Sequence, residues 1–192
     1  IIWGWVEASN YANFEEYLLQ EEFNPYEERI KWWKDNLLED LWDWYEVIKL
    51  PMPNKWFAHY QYWKIMFEKA LPYFGEENIL IGHSLGWSFL LKYLSENTLQ
   101  NISQIHLVAP AVFDSTQELL WSFTSDKNFE NYKKYENITS IYHSKDDDVV
   151  PFSDTQYLQK ILGKSKFEIF DDYGHFIFNE HLEKLVHNIK QL

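Results

Sequence analysis

The sequence predicts an α/β fold, a mainly parallel sheet held between two layers of helix, and three observations carry that prediction. Short apolar runs rich in Ile, Val and Tyr alternate along the chain with longer segments of helical period. The runs are continuous rather than alternating, as strands covered on both faces require. One of them, Ile79-Leu80-Ile81, passes through Gly82-His83-Ser84-Leu85-Gly86 into a long apolar helical pattern. Parallel strands need crossovers, and the intervening helices supply them.

In chain order, the expected strands are Ile1–Trp3, Glu46–Leu50, Ile79–Gly82, Ile105–Val108, Ser140–His143 and Phe167–Phe170. The first crossover is long, acidic and aromatic, and includes a helix expected over Pro25–Leu38, with Ile30, Trp33 and Leu37 on one stripe. A second helix is expected over Asn54–Leu71, capped by Asn54 and carrying Trp56, Tyr60, Trp63 and Phe67 at spacings of three and four. Leu85–Leu94, Asp154–Leu162 and Asn179–Ile189 complete the set. No linker, repeat or low-complexity tract divides the chain, so residues 1–192 are expected to form one domain.

Composition narrows the function. Hydrophobic residues make up 46% of the chain, enough for a substantial core. A net charge of -13 repels phosphate backbones, so neither a nucleic acid nor an anionic membrane is an expected partner. The absence of cysteine excludes disulfides and thiolate metal sites. No apolar run approaches the roughly 20 residues of a membrane helix, and no signal peptide is evident. A cytoplasmic location is therefore expected. The sequence starts on Ile1 inside an expected strand, which leaves room for residues upstream.

The Gly-x-Ser-x-Gly pattern is weak alone but stronger between a strand and a helix. Such a turn strains the serine backbone and lifts the Ser84 hydroxyl out of the sheet. The N–H of Leu85, at the helix start, then points where an oxyanion develops. A plain capping serine is the alternative. A serine hydroxyl needs a base and a third group, which this type of turn places in the order Ser, acid, His, each after a later strand. His175 follows the last strand and a glycine, and is the best base among the seven histidines. His83 adjoins the serine, but its side chain is expected to point away. Asp147 lies four residues before Pro151; Asp146 and Asp148 beside it suit turn or solvated roles, and spacing alone does not separate the three.

The segments "GHSLG", "HSKDDDVVP" and "YGHF" together resemble the small α/β-hydrolases of the retinoblastoma-binding protein 9 type, over nearly the whole chain. "VIKLPMPN" and "IHLVAPA" extend the likeness. The resemblance implies Ser84 as nucleophile, Asp147 as acid and His175 as base. It also implies a second oxyanion donor in the N–H of Trp5, and a six-stranded sheet ordered 2-1-3-4-5-6. Trp3-Gly4 stands where the family usually has His-Gly, Trp87 where it has a small residue, and Tyr11–Leu38 exceeds its usual first crossover.

The chemistry expected is cleavage of small carboxylesters, with amides open, through an acyl-enzyme and with no cofactor or metal. Phe113, Trp121, Phe123 and Phe176 are candidates for an apolar acyl pocket, with core packing the competing role for each. The alternative function is a protein-interaction module on the same fold, its triad residual.

Overall fold

The computed structural model describes residues 1–4, 19, 31–42, 44–54, 58–112, 121–123 and 129–191. Among these residues, five strands form one sheet: β1 (Ile2–Gly4), β2 (Asn78–Ser84), β3 (Ile102–Val108), β4 (Thr139–Ser144) and β5 (Lys166–Phe170). They stand in chain order, each paired in parallel with the next. The register aligns Gly4 with Ser84, His83 with Val108, Val108 with Tyr142, and Ser144 with Phe170. All five carboxyl ends therefore meet one edge, where ligands bind in open parallel sheets.

Among the described residues, five strands are paired rather than six. The segment expected as the second strand, 46–50, runs beside β1, the place that the order 2-1-3-4-5-6 gives it. Its attachment consists of the Ile1 nitrogen donating to the Ile48 carbonyl (2.7 Å) and the Leu50 N–H donating to the Ile1 carbonyl (3.1 Å). Ile48 and Lys49 face solvent, so the segment lacks the double cover of the paired strands.

Among the described residues, five helices flank the sheet: α1 (Trp33–Leu41), α2 (Tyr60–Glu68), α3 (Leu85–Glu96), α4 (Phe152–Ile161) and α5 (Glu183–Ile189). Alternation along each strand sends neighbouring side chains to opposite faces. Leu80, Ile105, Leu107 and Ile141 thus pack with Trp63, Phe67, Phe89, Leu90 and Leu158 of α2, α3 and α4. Ile81, Val108 and Tyr142 pack with Trp33, Leu37, Leu185 and Ile189 of α1 and α5 on the other side. α3 is apolar almost all round because it is the central cover, with every residue from Leu85 to Leu91 buried.

Two expected helix starts move. α1 begins at Trp33, where Asp35 accepts a hydrogen bond from the Trp32 N–H; residues 25–30 lie outside the described residues. α2 begins at Tyr60 rather than Asn54. Asn54 has a left-handed backbone (φ 47°), and His59 is the cap, its Nδ1 accepting from the Gln61 N–H at 3.3 Å. No helix among the described residues is long and apolar enough to cross a membrane.

Candidate active site

Ser84 ends β2 and directly precedes α3, with φ 53° and ψ −124°. That conformation is costly for a residue with a side chain and is maintained by the packing around it. A Cβ built on Gly82 falls 2.7 Å from the Gly86 carbonyl oxygen and 2.9 Å from the Trp87 Cα, so the strand and helix touch backbone to backbone. The obstacles are main-chain atoms of the turn itself, which cannot swing aside. Gly82→Ala is expected to cost about 3 kcal/mol of unfolding free energy, the upper end for overpacking. A urea denaturation curve checks this, and a loss under about 1 kcal/mol would contradict the close contact.

The three side chains expected from the sequence to act together converge at this edge. His175, five residues beyond β5, places Nε2 2.9 Å from Ser84 Oγ. Asp147, three residues beyond β4, lies 2.9 Å through Oδ2 and 3.1 Å through Oδ1 from His175 Nδ1. All three are buried: Ser84 is 6% exposed, His175 3% and Asp147 8%.

Asp147 is held from behind. The N–H groups of Val149 and Val150 both donate to its Oδ1, at 2.9 and 2.8 Å. His143 Nε2 lies 3.3 Å from Oδ2 and 3.1 Å from the Val150 carbonyl, while its Nδ1 meets the Thr155 hydroxyl at 2.6 Å. Burial alone would raise the Asp147 pKa. Hydrogen bonds from His143 and His175 outweigh it and hold the carboxyl below its ordinary value of 3.8. With the carboxylate ionised, His175 carries its proton on Nδ1 and turns the Nε2 lone pair to Ser84.

Asp146 does something different. Its Oδ1 accepts from the Ser144 hydroxyl and from the Gly174 N–H (2.9 Å), while the Tyr173 N–H donates to Ser144 Oγ at 2.9 Å. This joins the turn bearing the acid to the loop bearing the histidine. The Ser144 bond is the leading cause that holds the Asp146 carboxyl below its ordinary value. Gly174 has φ +50° with open space around its Cβ position, so glycine is needed there for backbone conformation and not for room.

Of the expected oxyanion donors, Leu85 is the first residue of α3, so its N–H lies at a helix start beside Ser84. Trp5 lies outside the described residues, although Gly4 before it pairs with Ser84. Phe113 and the Trp121 side chain also lie outside them. The other two pocket candidates are core residues. Phe123 is 2% exposed and sits edge-on to Trp63, ring centroids 5.1 Å apart. Phe176 is fully buried and sits edge-on to Phe170 at 5.5 Å. Trp87, expected to crowd the helix or fill the pocket, is buried in the α3 core beside Phe129. Its indole N–H has no hydrogen-bond partner among the described residues.

Sequence reasoning assigns no functional role to His83, Lys34 or His143. His83 does turn from the serine, as strand alternation dictates, and reaches the α1 side of the sheet. There its Nδ1 meets Lys34 Nζ at 3.0 Å and its Nε2 meets the His175 carbonyl at 2.9 Å. The one available signal was its position immediately before Ser84.

Residues 26–192 match the protein family described as "Serine hydrolase". No curated protein matches the sequence. Among solved structures, the chain is similar to the ydeN gene product from B. subtilis (TM-score 0.63, 24% identity, 72% of this chain and 77% of that one). It is also similar to a putative YdeN-like hydrolase from Pectobacterium atrosepticum (TM-score 0.60, 17% identity, 85% and 83%). A meta-cleavage product hydrolase from Pseudomonas fluorescens aligns at TM-score 0.53 and 16% identity, over 72% and 74%. These likenesses identify the architecture as α/β-hydrolase-like with a parallel sheet.

Proposed function

We infer that this chain, which belongs to the serine hydrolase family, cleaves small carboxylesters through an acyl-enzyme formed on Ser84. One observation carries the reading: an unbroken hydrogen-bonded series from Ser84 Oγ through His175 to an ionised Asp147, buried at the carboxyl edge of the sheet. The combination of "GHSLG", "HSKDDDVVP" and "YGHF" favours the retinoblastoma-binding protein 9 type within the family.

In this mechanism Ser84 Oγ attacks the carbonyl carbon as His175 Nε2 takes the hydroxyl proton. The carbonyl electron pair moves to oxygen, where the Leu85 N–H, and in our reading the Trp5 N–H, stabilise the negative charge. Each such donor typically lowers the barrier by about 3 kcal/mol. Collapse breaks the bond to the leaving alkoxide, which receives the proton from His175. Water then attacks the acyl-enzyme with His175 again as base, releasing the acid and restoring Ser84. Asp147 keeps the proton on Nδ1 and stabilises the transient imidazolium. Small amides would follow the same route with a poorer leaving group.

A fluorophosphonate probe is the direct test. Wild-type protein should become labelled, with mass spectrometry placing the adduct on Ser84 and no adduct on Ser84→Ala. A folded wild type that stays unlabelled would instead favour an interaction module with an idle triad. A p-nitrophenyl ester series of increasing acyl length then defines the chain length accepted.

A further inference from the structure

The mechanism leaves unused a buried amine and a buried imidazole beside the triad. Lys34, on α1, is 3% exposed and His83, on β2, is 2% exposed. Their hydrogen-bonding options are narrow. An ammonium has no lone pair to offer and a peptide carbonyl has no hydrogen. Only a neutral imidazole with its proton on Nε2 can accept from Lys34 at Nδ1 and donate to the His175 carbonyl. Burial, reinforced by the charge of Lys34, holds His83 well below its ordinary pKa of 6.5 and so keeps it neutral. Among the described residues, the ionisable groups facing it are Lys34 from α1, His175 from the loop after β5 and Asp147 from the turn after β4.

The loop at the far end of this series is one that needs holding. Phe176 has φ 59° and Gly174 φ 50°, so His175 sits between two left-handed residues. Helix α1 grips the same loop at three further carbonyls. Trp33 Nε1 donates to Phe176 (3.1 Å), the Trp33 N–H to Asn179 (2.7 Å) and Asn36 Nδ2 to Glu180 (2.9 Å). The end of the long first crossover therefore serves as a clamp on the histidine loop.

We propose that Lys34 and His83 are positioning residues for His175, an ammonium–imidazole–carbonyl strut that fixes the backbone of the general base against the nucleophile strand. The proposal rests on the hydrolase reading above. A base displaced by an ångström loses on the order of 10²-fold in rate, so small movements at the carbonyl matter.

The strut makes two linked demands. In Lys34→Met, kcat for p-nitrophenyl acetate should fall about 10- to 100-fold with little change in KM. Lys34→Arg, which still donates, should recover most of that loss. Recovery by a second donor is a response that simple loosening of the fold would not produce. Should Lys34→Met fail to fold, nitrogen-15 NMR of wild-type protein serves instead: His83 must show a protonated Nε2 and a bare Nδ1 from pH 5 to 8. A proton on Nδ1, or a folded Lys34→Met with wild-type kcat, overturns the strut. Wild-type protein that takes no fluorophosphonate label overturns the hydrolase reading, and the catalytic role of the strut with it.

Discussion

Ser84→Ala should lower kcat for a p-nitrophenyl ester by about 10⁶-fold with little change in KM, since the hydroxyl forms a bond in the reaction and contributes little to ground-state binding. Ser84→Gly should be equally inactive and more stable than Ser84→Ala. The residue sits at φ 53°, ψ −124°, where any Cβ is strained by about 1 to 3 kcal/mol. Glycine relieves that strain and returns roughly 1 kcal/mol through the greater freedom of its unfolded chain. A net gain of about 1 kcal/mol over the alanine variant is expected by denaturant titration. Ester hydrolysis at the wild-type rate in either variant would remove Ser84 as nucleophile.

Asp147→Asn should be nearly as damaging, for a reason readable in its contacts. Two backbone N–H groups, of Val149 and Val150, donate to Oδ1, so the amide oxygen of an asparagine must take that place. Its NH₂ is then left facing His175 Nδ1, at the position now occupied by Oδ2. A donor there forces the imidazole proton onto Nε2, the tautomer that cannot accept from serine. The expected loss is about 10⁴-fold in kcat. Stability follows the same group. A carboxyl held below its ordinary value in the folded chain stabilises fully above pH 3.8 and loses that contribution as pH falls through the folded value. The wild-type advantage over Asp147→Asn in unfolding free energy should therefore be greatest near neutrality and shrink in strong acid. An advantage that grew on acidification would reverse the assigned charge state.

Much of this site was legible in the sequence because its signals are local. Ile79–Gly82 and Ile105–Val108 are runs whose apolar character follows from cover on both faces, and they fall within β2 and β3. The serine, aspartate and histidine each follow a strand, so the topology delivers them to one edge whatever the intervening loops do. The features missed depend on partners remote in the chain. Nothing near His83 announces Lys34, 49 residues earlier, or the carbonyl of His175, 92 residues later. Residues 46–50 have the composition of a strand but lie at the sheet margin, where composition cannot say how far pairing runs. Loop position places Phe123 and Phe176 near the carboxyl edge, but the packing of Trp63 and Phe170 against them is a contact that no local pattern displays.

The bridge of Asp146, Ser144, Tyr173 and Gly174 gives mutational work here an unusual advantage. It moors the two segments to each other without drawing on the carboxylate that meets His175. Stripping that carboxylate of its charge should thus silence the chemistry while leaving the scaffold standing, so a rate deficit can be read as a proton in the wrong place. Cutting the bridge at Ser144 should do the reverse: the reacting groups stay intact, but the distance between their anchors is set loose.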